Sequence, residues 1–390
     1  MGITMRRLWP AGAMLAWLVT VAPSQSAEDW PTYRHDNARS GATTARLSPP
    51  LTLCWVFRPL WPPEQAWGEP NPRPVGGQTG AREGRRLQYD DVYHVTLSGG
   101  SLYFGSSADG KVYALDARTA RLRWTFLTGG PVRLAPTVWK DRVYVGSDDG
   151  FVYCLLAADG REIWRFQAAP NEQQLLGSGK MISRWPVRTG VLVDRMDGAD
   201  VAYFGAGIFP SEGVYLFAVN AQDGKLLWCF DTGGDSPSSV FSPQGYLLAS
   251  RSSLFVPQGR VAPARFDRRT GEPVRMPNFP FPWEYAHAIG GTYAVLDGEE
   301  LITGTEELVG LNPQTGERLG WFFGRQIALT PRLLVLADGR ELWGLDRQEY
   351  PRAALERRKR YEARQTLLER WHRISNQVPQ AEAKLKASEQ

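Results

Sequence analysis

Between Leu102 and Ala157 the chain alternates apolar and polar positions in short runs broken by glycine. "LYFGSSADGKVYALDA" (Leu102 to Ala117) aligns with "VYVGSDDGFVYCLLA" (Val143 to Ala157), two alternating stretches around an Asp-Gly turn in each case. Alternation of period two marks a half-buried strand, and Asp-Gly supplies the positive φ of a tight hairpin. "AYFGAGIFPSEGVYLFAVNA" (Ala202 to Ala221) repeats the pattern with an enlarged turn. Worn copies follow in "LFVPQGRVAPARFDRRTGE", "LITGTEELVGLNPQTGERLGWFF" and "LLVLADGRELWGLDR".

Each unit continues through a second turn into a Trp-x-Phe strand. The phrase heads at Trp55, Trp124, Trp164, Trp228 and Trp321, with Asp159-Gly160, Asp223-Gly224 and, one residue further off, Thr315-Gly316 ahead of the last three. "WTFLTGG" and "WCFDTGG" are two copies of this strand and the loop after it. A strand leading in, such as "RLAPTVW" or "PVRTGVLV", brings each unit to four. Four-stranded antiparallel units recurring every ~40 to 50 residues predict an all-β fold, a β-propeller of the seven- or eight-blade type, complete or short of a blade. The five tryptophans are expected at equivalent places between neighbouring blades, where a large ring is buried and its N–H reaches a carbonyl.

The pattern changes at both ends. After Asp346, "EYPRAALERRKRYEARQTLLERWHRIS" has no glycine and sets Leu367, Trp371 and Ile374 at i, i+4 and i+7, which predicts an amphipathic helix. The last unit stops before its Trp-x-Phe strand, so either the N-terminal strand near Trp55 completes it or the tail, residues 348–390, lays its apolar stripe over an open end of the propeller; the second is the expectation. At the other end, Arg6-Arg7, an apolar run from Leu8 to Ala22 and small residues at Ser24, Ser26 and Ala27 have the layout of a secretory signal peptide, residues 1–27. The propeller is assigned to residues 28–347, in the periplasm or outside the cell, with no membrane span once the signal is cleaved.

Composition narrows the function. Gly 40, Pro 28 and Trp 15 in 390 residues suit short strands and tight turns. Lys and Arg number 45 against 41 Asp and Glu, and the excess lies in the tail, so no concentrated basic surface suggests nucleic acid. Three cysteines, Cys54, Cys154 and Cys229, are too few and too odd in number for a disulfide framework and are expected as buried thiols.

The stretch from Ala114 to Trp124, and that from Ala218 through Gly224 to Trp228, resemble the tryptophan-docking motif of pyrroloquinoline-quinone-type propeller repeats. "DWPTYRHDNARSG" (Asp29 to Gly41), "MISRWPVRTGVLV" (Met181 to Val193) and "SPQGYLLASRSSLFVPQGR" (Ser242 to Arg260) resemble exported quinoprotein-like propellers of planctomycete-type bacteria. The resemblance spans Asp29 to about Asp346 and implies the fold. It also raises an enzymatic alternative, a dehydrogenase of alcohols or sugars that uses pyrroloquinoline quinone with calcium. The Cys-Cys pair of the alcohol branch and a Cys-x-x-Cys-His haem motif are absent from the sequence. The expectation is a non-catalytic binding or scaffolding module with no catalytic residue, metal or cofactor.

Other motifs reduce to turns. "GSGK" (Gly177 to Lys180) lacks the first glycine of a phosphate loop, "SDDG" (Ser147 to Gly150) matches the hairpin turn of the previous unit, and the four histidines have no ligand spacing. Arg133, Arg184 and Arg188 are the binding candidates. They precede blades, nearest a propeller's axis, and grouped guanidinium groups suit an anionic ligand or an acidic segment of a partner protein, unless each is paired to a neighbouring carboxylate.

Overall fold

The computed structural model describes residues 29–66, 90–177, 179–232, 241–259, 262–275, 293–298, 300–304, 308–322, 324–337 and 341–388. The signal segment, and the glycine pair of the second "TGG", lie outside these residues. Among the described residues, six antiparallel sheets of three or four strands follow one another along the chain. The first comprises Val95–Ser98, Ser101–Gly105, Lys111–Asp116 and Leu122–Leu127, and the second Thr137–Trp139, Arg142–Gly146, Phe151–Leu156 and Glu162–Gln167. Leu192–Met196, Ala199–Ala206, Tyr215–Asn220 and Leu226–Asp231 form the third. Leu248–Ala249, Ser253–Val256 and Ala264–Asp267 form the fourth. The fifth has Ala294–Asp297, Glu300–Gly304, Leu308–Leu311 and Arg318–Phe322, and the sixth Gln326–Leu329, Leu333–Ala337 and Leu342–Asp346.

Each sheet is a meander, and a hydrophobic cluster fills the space between successive sheets from the first to the sixth. A twisted sheet has two faces to cover, and stacking blades side by side covers them. The axis is marked by the segment from Trp30 to Ser40, which reaches the first strand of every sheet. Trp30 exchanges backbone hydrogen bonds with Leu97 (2.7 and 2.9 Å), and the carbonyls of Pro31, Asn37, Ala38 and Ser40 accept from Val138, Ala249, Leu296 and Leu329 at 2.7 to 3.0 Å. The Asn37 side chain donates to Val193 O at 3.0 Å, which adds the third sheet. To turn this tightly the segment holds Arg34, His35 and Arg39 at φ 55, 80 and 61°, a region that side chains disfavour and that persists only when the surroundings impose it.

Four of the five expected tryptophans dock in one way. The indole N–H of Trp124 donates to Ala157 O (3.0 Å), that of Trp164 to Ala221 O (3.0 Å), that of Trp228 to Arg268 O (3.1 Å) and that of Trp55 to Ala117 O (3.1 Å). The three rings from regular strands lie over a glycine of the next blade's turn. A Cβ on Gly160, Gly224 or Gly271 would come within 2.5 to 3.0 Å of ring carbons, and all three have φ of 74 to 76°. Glycine is required there twice over.

Trp321 departs from this. In the complete blades the tryptophan stands opposite Ala114, Cys154 or Ala218, next to a bulge, whereas in the fifth sheet that position is Gly320, opposite Gly310. The extra residue after Gly316 shifts Trp321 by one, and on a strand a shift of one reverses the face. Trp321 therefore packs back against the fourth sheet. The space left at Gly320 is taken by Tyr350, whose hydroxyl lies where a side chain there would stand and whose ring stacks on Phe322 at 5.1 Å.

Tyr350 opens the tail helix, Tyr350–Ser388, with Pro379 inside it. The stripe expected to cover the propeller end does not: Leu367, Trp371 and Ile374 are 64%, 60% and 52% exposed. The helix is held at its first turn. The thiols also depart from expectation, since only Cys154 is buried while Cys54 and Cys229 are exposed. Both sit beside a docked tryptophan on an outer strand or segment, so alternation turns them to solvent.

Candidate functional site

The residues that crowd the axis form the candidate site. Arg133 lies in the loop between the first two sheets, three residues after Gly130, where a Cβ would stand 2.7 Å from Asp149 N. That close approach accounts for the second glycine of "TGG". Asp148 comes from the "SDDG" turn and projects toward the axis. Arg133 Nε donates to Asp148 Oδ2 (2.6 Å) and its Nη1 to Asp90 Oδ2 (2.8 Å) and Glu64 O (2.7 Å). Arg188 Nε and Nη2 take the two Asp148 oxygens at 3.1 and 3.2 Å. All four side chains are buried.

The two carboxylates respond differently. Burial raises the Asp148 carboxyl's proton affinity, but the Arg188 and Arg133 guanidinium groups outweigh it and hold the group below its ordinary range. Burial dominates at Asp90, which is raised despite its hydrogen bonds to Ala66 N and Arg133. A buried charge needs a partner in good geometry, and Asp148 has two where Asp90 has one.

Arg184 is not part of this group. It pairs with Glu212 and donates to Gln173 Oε1 (2.9 Å) in a half-exposed setting. The structure thus brings Arg133 and Arg188 together and leaves Arg184 apart, and it pairs every one of them. Of the two readings the sequence left open, the geometry has the paired one, so a ligand carboxylate would have to displace Asp148 from the first two or Glu212 from the third.

Beside the ion cluster lies an aromatic stack. Tyr33 and Tyr246 are nearly parallel with centroids 3.6 Å apart, and His94 stacks on Tyr33 at 5.2 Å. Ala135 N donates to the Tyr246 hydroxyl (2.7 Å), which lies 2.8 Å from His94 Nδ1. Burial lowers the His94 pKa to about 4, so the ring is neutral near pH 7 and its tautomer sets which partner of the Tyr246–Nδ1 bond donates. Arg39 lies behind Tyr246, its guanidinium 5.8 Å from the ring centroid, and donates to Leu247 O, Thr32 Oγ1, Tyr33 O and Asp36 O at 2.9 to 3.1 Å.

A bound planar quinone with calcium would need a slot and a set of oxygen donors. Inserting a third ring between Tyr33 and Tyr246 would require roughly twice their stacking distance. Among the described residues no group of three or more His, Cys, Asp or Glu could hold a metal ion. The described residues at the axis do not fit that cofactor. The sequence reading missed Tyr33, Arg39, His94, Asp148 and Tyr246. Its one usable signal was that Asp148 occupies the turn position where the previous unit has Ala108.

Residues 78–230 match the family described as outer membrane protein assembly factor BamB, in a model of pyrroloquinoline-quinone-type repeats. A solved europium-containing methanol dehydrogenase is similar over 82% of this chain and 62% of its own, with a TM-score of 0.51 at 12% identity. This chain is a β-propeller, and its residues 78–230 match a model of pyrroloquinoline-quinone-type repeats. Its curated relatives include the dehydrogenase subunit of a quinone alcohol dehydrogenase from Gluconobacter oxydans, 26% identical over 55% of this chain and 29% of the relative. A quinohemoprotein alcohol dehydrogenase from Comamonas testosteroni is 28% identical over 36% and 20%. A tetrathionate hydrolase from Acidithiobacillus ferrooxidans is 28% identical over 36% and 28%. The chain thus spans less than a third of the length of these relatives. Their names cover different reactions, so the shared repeats do not by themselves carry an activity.

Proposed function

We propose that the protein is an exported, non-catalytic β-propeller that binds or scaffolds another component, with a signal peptide at 1–27, the propeller at 28–347 and a charged helical tail at 348–390. The observation that supports this reading is the filled axis. The Tyr33–Tyr246 stack and the mutually neutralised Arg133, Asp148, Arg188 and Asp90 spend their ring faces and charges on one another. The match to an assembly-factor family model points the same way. Periplasmic or secreted placement follows from the signal-peptide layout, and no helix among the described residues is long and apolar enough to cross a membrane. The partner is a protein, or a small anionic ligand, met at a propeller face. The nearly balanced charge argues against nucleic acid.

The competing reading is a dehydrogenase using pyrroloquinoline quinone with calcium, favoured by the names of the curated relatives. The two separate in one experiment: incubate the purified protein with the quinone and calcium, desalt, and record the absorbance. The expected result is no retained quinone and no dye-linked turnover of alcohols or aldoses. Stoichiometric retention with calcium-dependent turnover would establish the enzyme instead.

A further inference from the structure

The helix Tyr350–Ser388 is anchored by the Tyr350 ring on Phe322 and carries an apolar stripe that the propeller leaves exposed. Leu367, Trp371 and Ile374 are joined in it by Val378, which is exposed as well. At about 100° per residue, these four fall within an arc of about 60° and extend about 16 Å along the helix. Charge takes over the same line toward the helix start. Arg360 and Arg364, seven and three residues before Leu367, are exposed on that face.

The positive charge of the protein is concentrated on this element. Of the chain's 45 Lys and Arg and 41 Asp and Glu, the helix holds ten and four, so the remainder, 35 against 37, is slightly acidic. Stripe and charge together select the occupant. A second copy fits poorly: in a parallel pair Arg360 and Arg364 would face their equivalents, and in an antiparallel pair the seam would stop at Pro379. The helix is also not apolar enough to cross a bilayer. A layer of anionic headgroups meets both halves of the face at once. Guanidinium groups reach phosphate oxygens while leucine, isoleucine and valine enter the acyl boundary, and a tryptophan ring is suited to the level between.

We propose that the helix face bearing Arg360, Arg364, Leu367, Trp371, Ile374 and Val378 lies flat on an anionic lipid surface and holds the propeller at a membrane without spanning it. This contact is independent of what the axis or the propeller faces bind.

The test uses the full chain recovered after export and sucrose-loaded vesicles, either equal parts phosphatidylglycerol and phosphatidylethanolamine or phosphatidylcholine alone. Sedimentation at about 0.05 M salt should show binding to the anionic vesicles at least about tenfold tighter than to phosphatidylcholine, and weaker at about 0.5 M. The pair Arg360→Gln, Arg364→Gln should weaken it about 20- to 30-fold. The pair Trp371→Ser, Ile374→Ser should weaken it at least about tenfold. All four side chains are exposed, so both variants should melt as the parent does. In the unaltered chain, anionic vesicles should slow hydrogen exchange over residues 364–378 about tenfold. That measurement needs no variant and decides alone if a variant melts differently.

No retention, equal retention on the two vesicle types, retention unchanged in either pair of substitutions, or exchange unaltered by vesicles overturns the proposal. A dimer on sizing that Ile374→Ser converts to a monomer would assign the stripe to a second copy and overturn it too. Retention on polyglutamate as tight as on vesicles, and indifferent to Trp371→Ser, would assign the helix to an acidic protein instead.

Discussion

Replacing Trp124 by Ala tests the docking of tryptophan on glycine from both sides. Trp124 is 7% exposed, donates to Ala157 O, and lies so close to Gly160 that a Cβ there would be 2.5 Å from the ring. Truncating the ring should cost about 3–5 kcal/mol, combining lost burial with the cavity left behind. Gly160→Ala should cost ~1 kcal/mol for a side chain at φ 74° and a further ~1–3 kcal/mol for overlap with the ring. In the double variant the overlap disappears because the ring is gone, and the new methyl fills part of the cavity. The double variant should therefore be less destabilised than the sum of the singles by about 1–3 kcal/mol. Urea unfolding of the four proteins measures this as midpoint shifts at constant m. Additivity within about 0.5 kcal/mol would falsify the stacking of Trp124 on Gly160.

The axial ion cluster and the fifth sheet give two more expectations. Asp148→Asn removes the carboxylate that two buried guanidinium groups share and should cost about 3–5 kcal/mol in the same assay, with Asp90→Asn costing clearly less because burial already disfavours that carboxylate; equal losses would show that Asp148 is not the hub. Burial, with Asp297 nearby, raises the Glu300 pKa from 4.5 to about 7 in the folded protein. Stability from this group is therefore full below pH 4.5 and declines as pH rises through 7, by up to about 3 kcal/mol, and Glu300→Gln should remove that decline between pH 5 and pH 8, whereas parallel profiles would place the group in water.

The division between what was legible early and what was not follows from the range of the interactions. Alternation, Asp-Gly and Thr-Gly turns and the recurring Trp-x-Phe are local or repeated features, so the sequence alone determined the strands, the four-stranded unit, the all-β propeller and the tail helix. Trp124, Trp164 and Trp228 were readable for the same reason, since each follows by four residues a turn position held by Ala120, Gly160 or Gly224. The face of Trp321 needed the pairing register: one added residue between Gly316 and the ring moved it across the sheet, and Tyr350 of the helix took the place it left. The arginines needed the tertiary fold as well. Arg133 and Arg188 lie 15 and 40 positions from Asp148, and whether a guanidinium is free or neutralised depends on which turns converge at the axis. The axial segment is the extreme case, with Arg34 donating to a carbonyl 293 positions away. Nothing in its polar, irregular sequence marks it as the piece on which six blades converge, because that role arises from the ring's geometry and not from any periodicity in the segment itself.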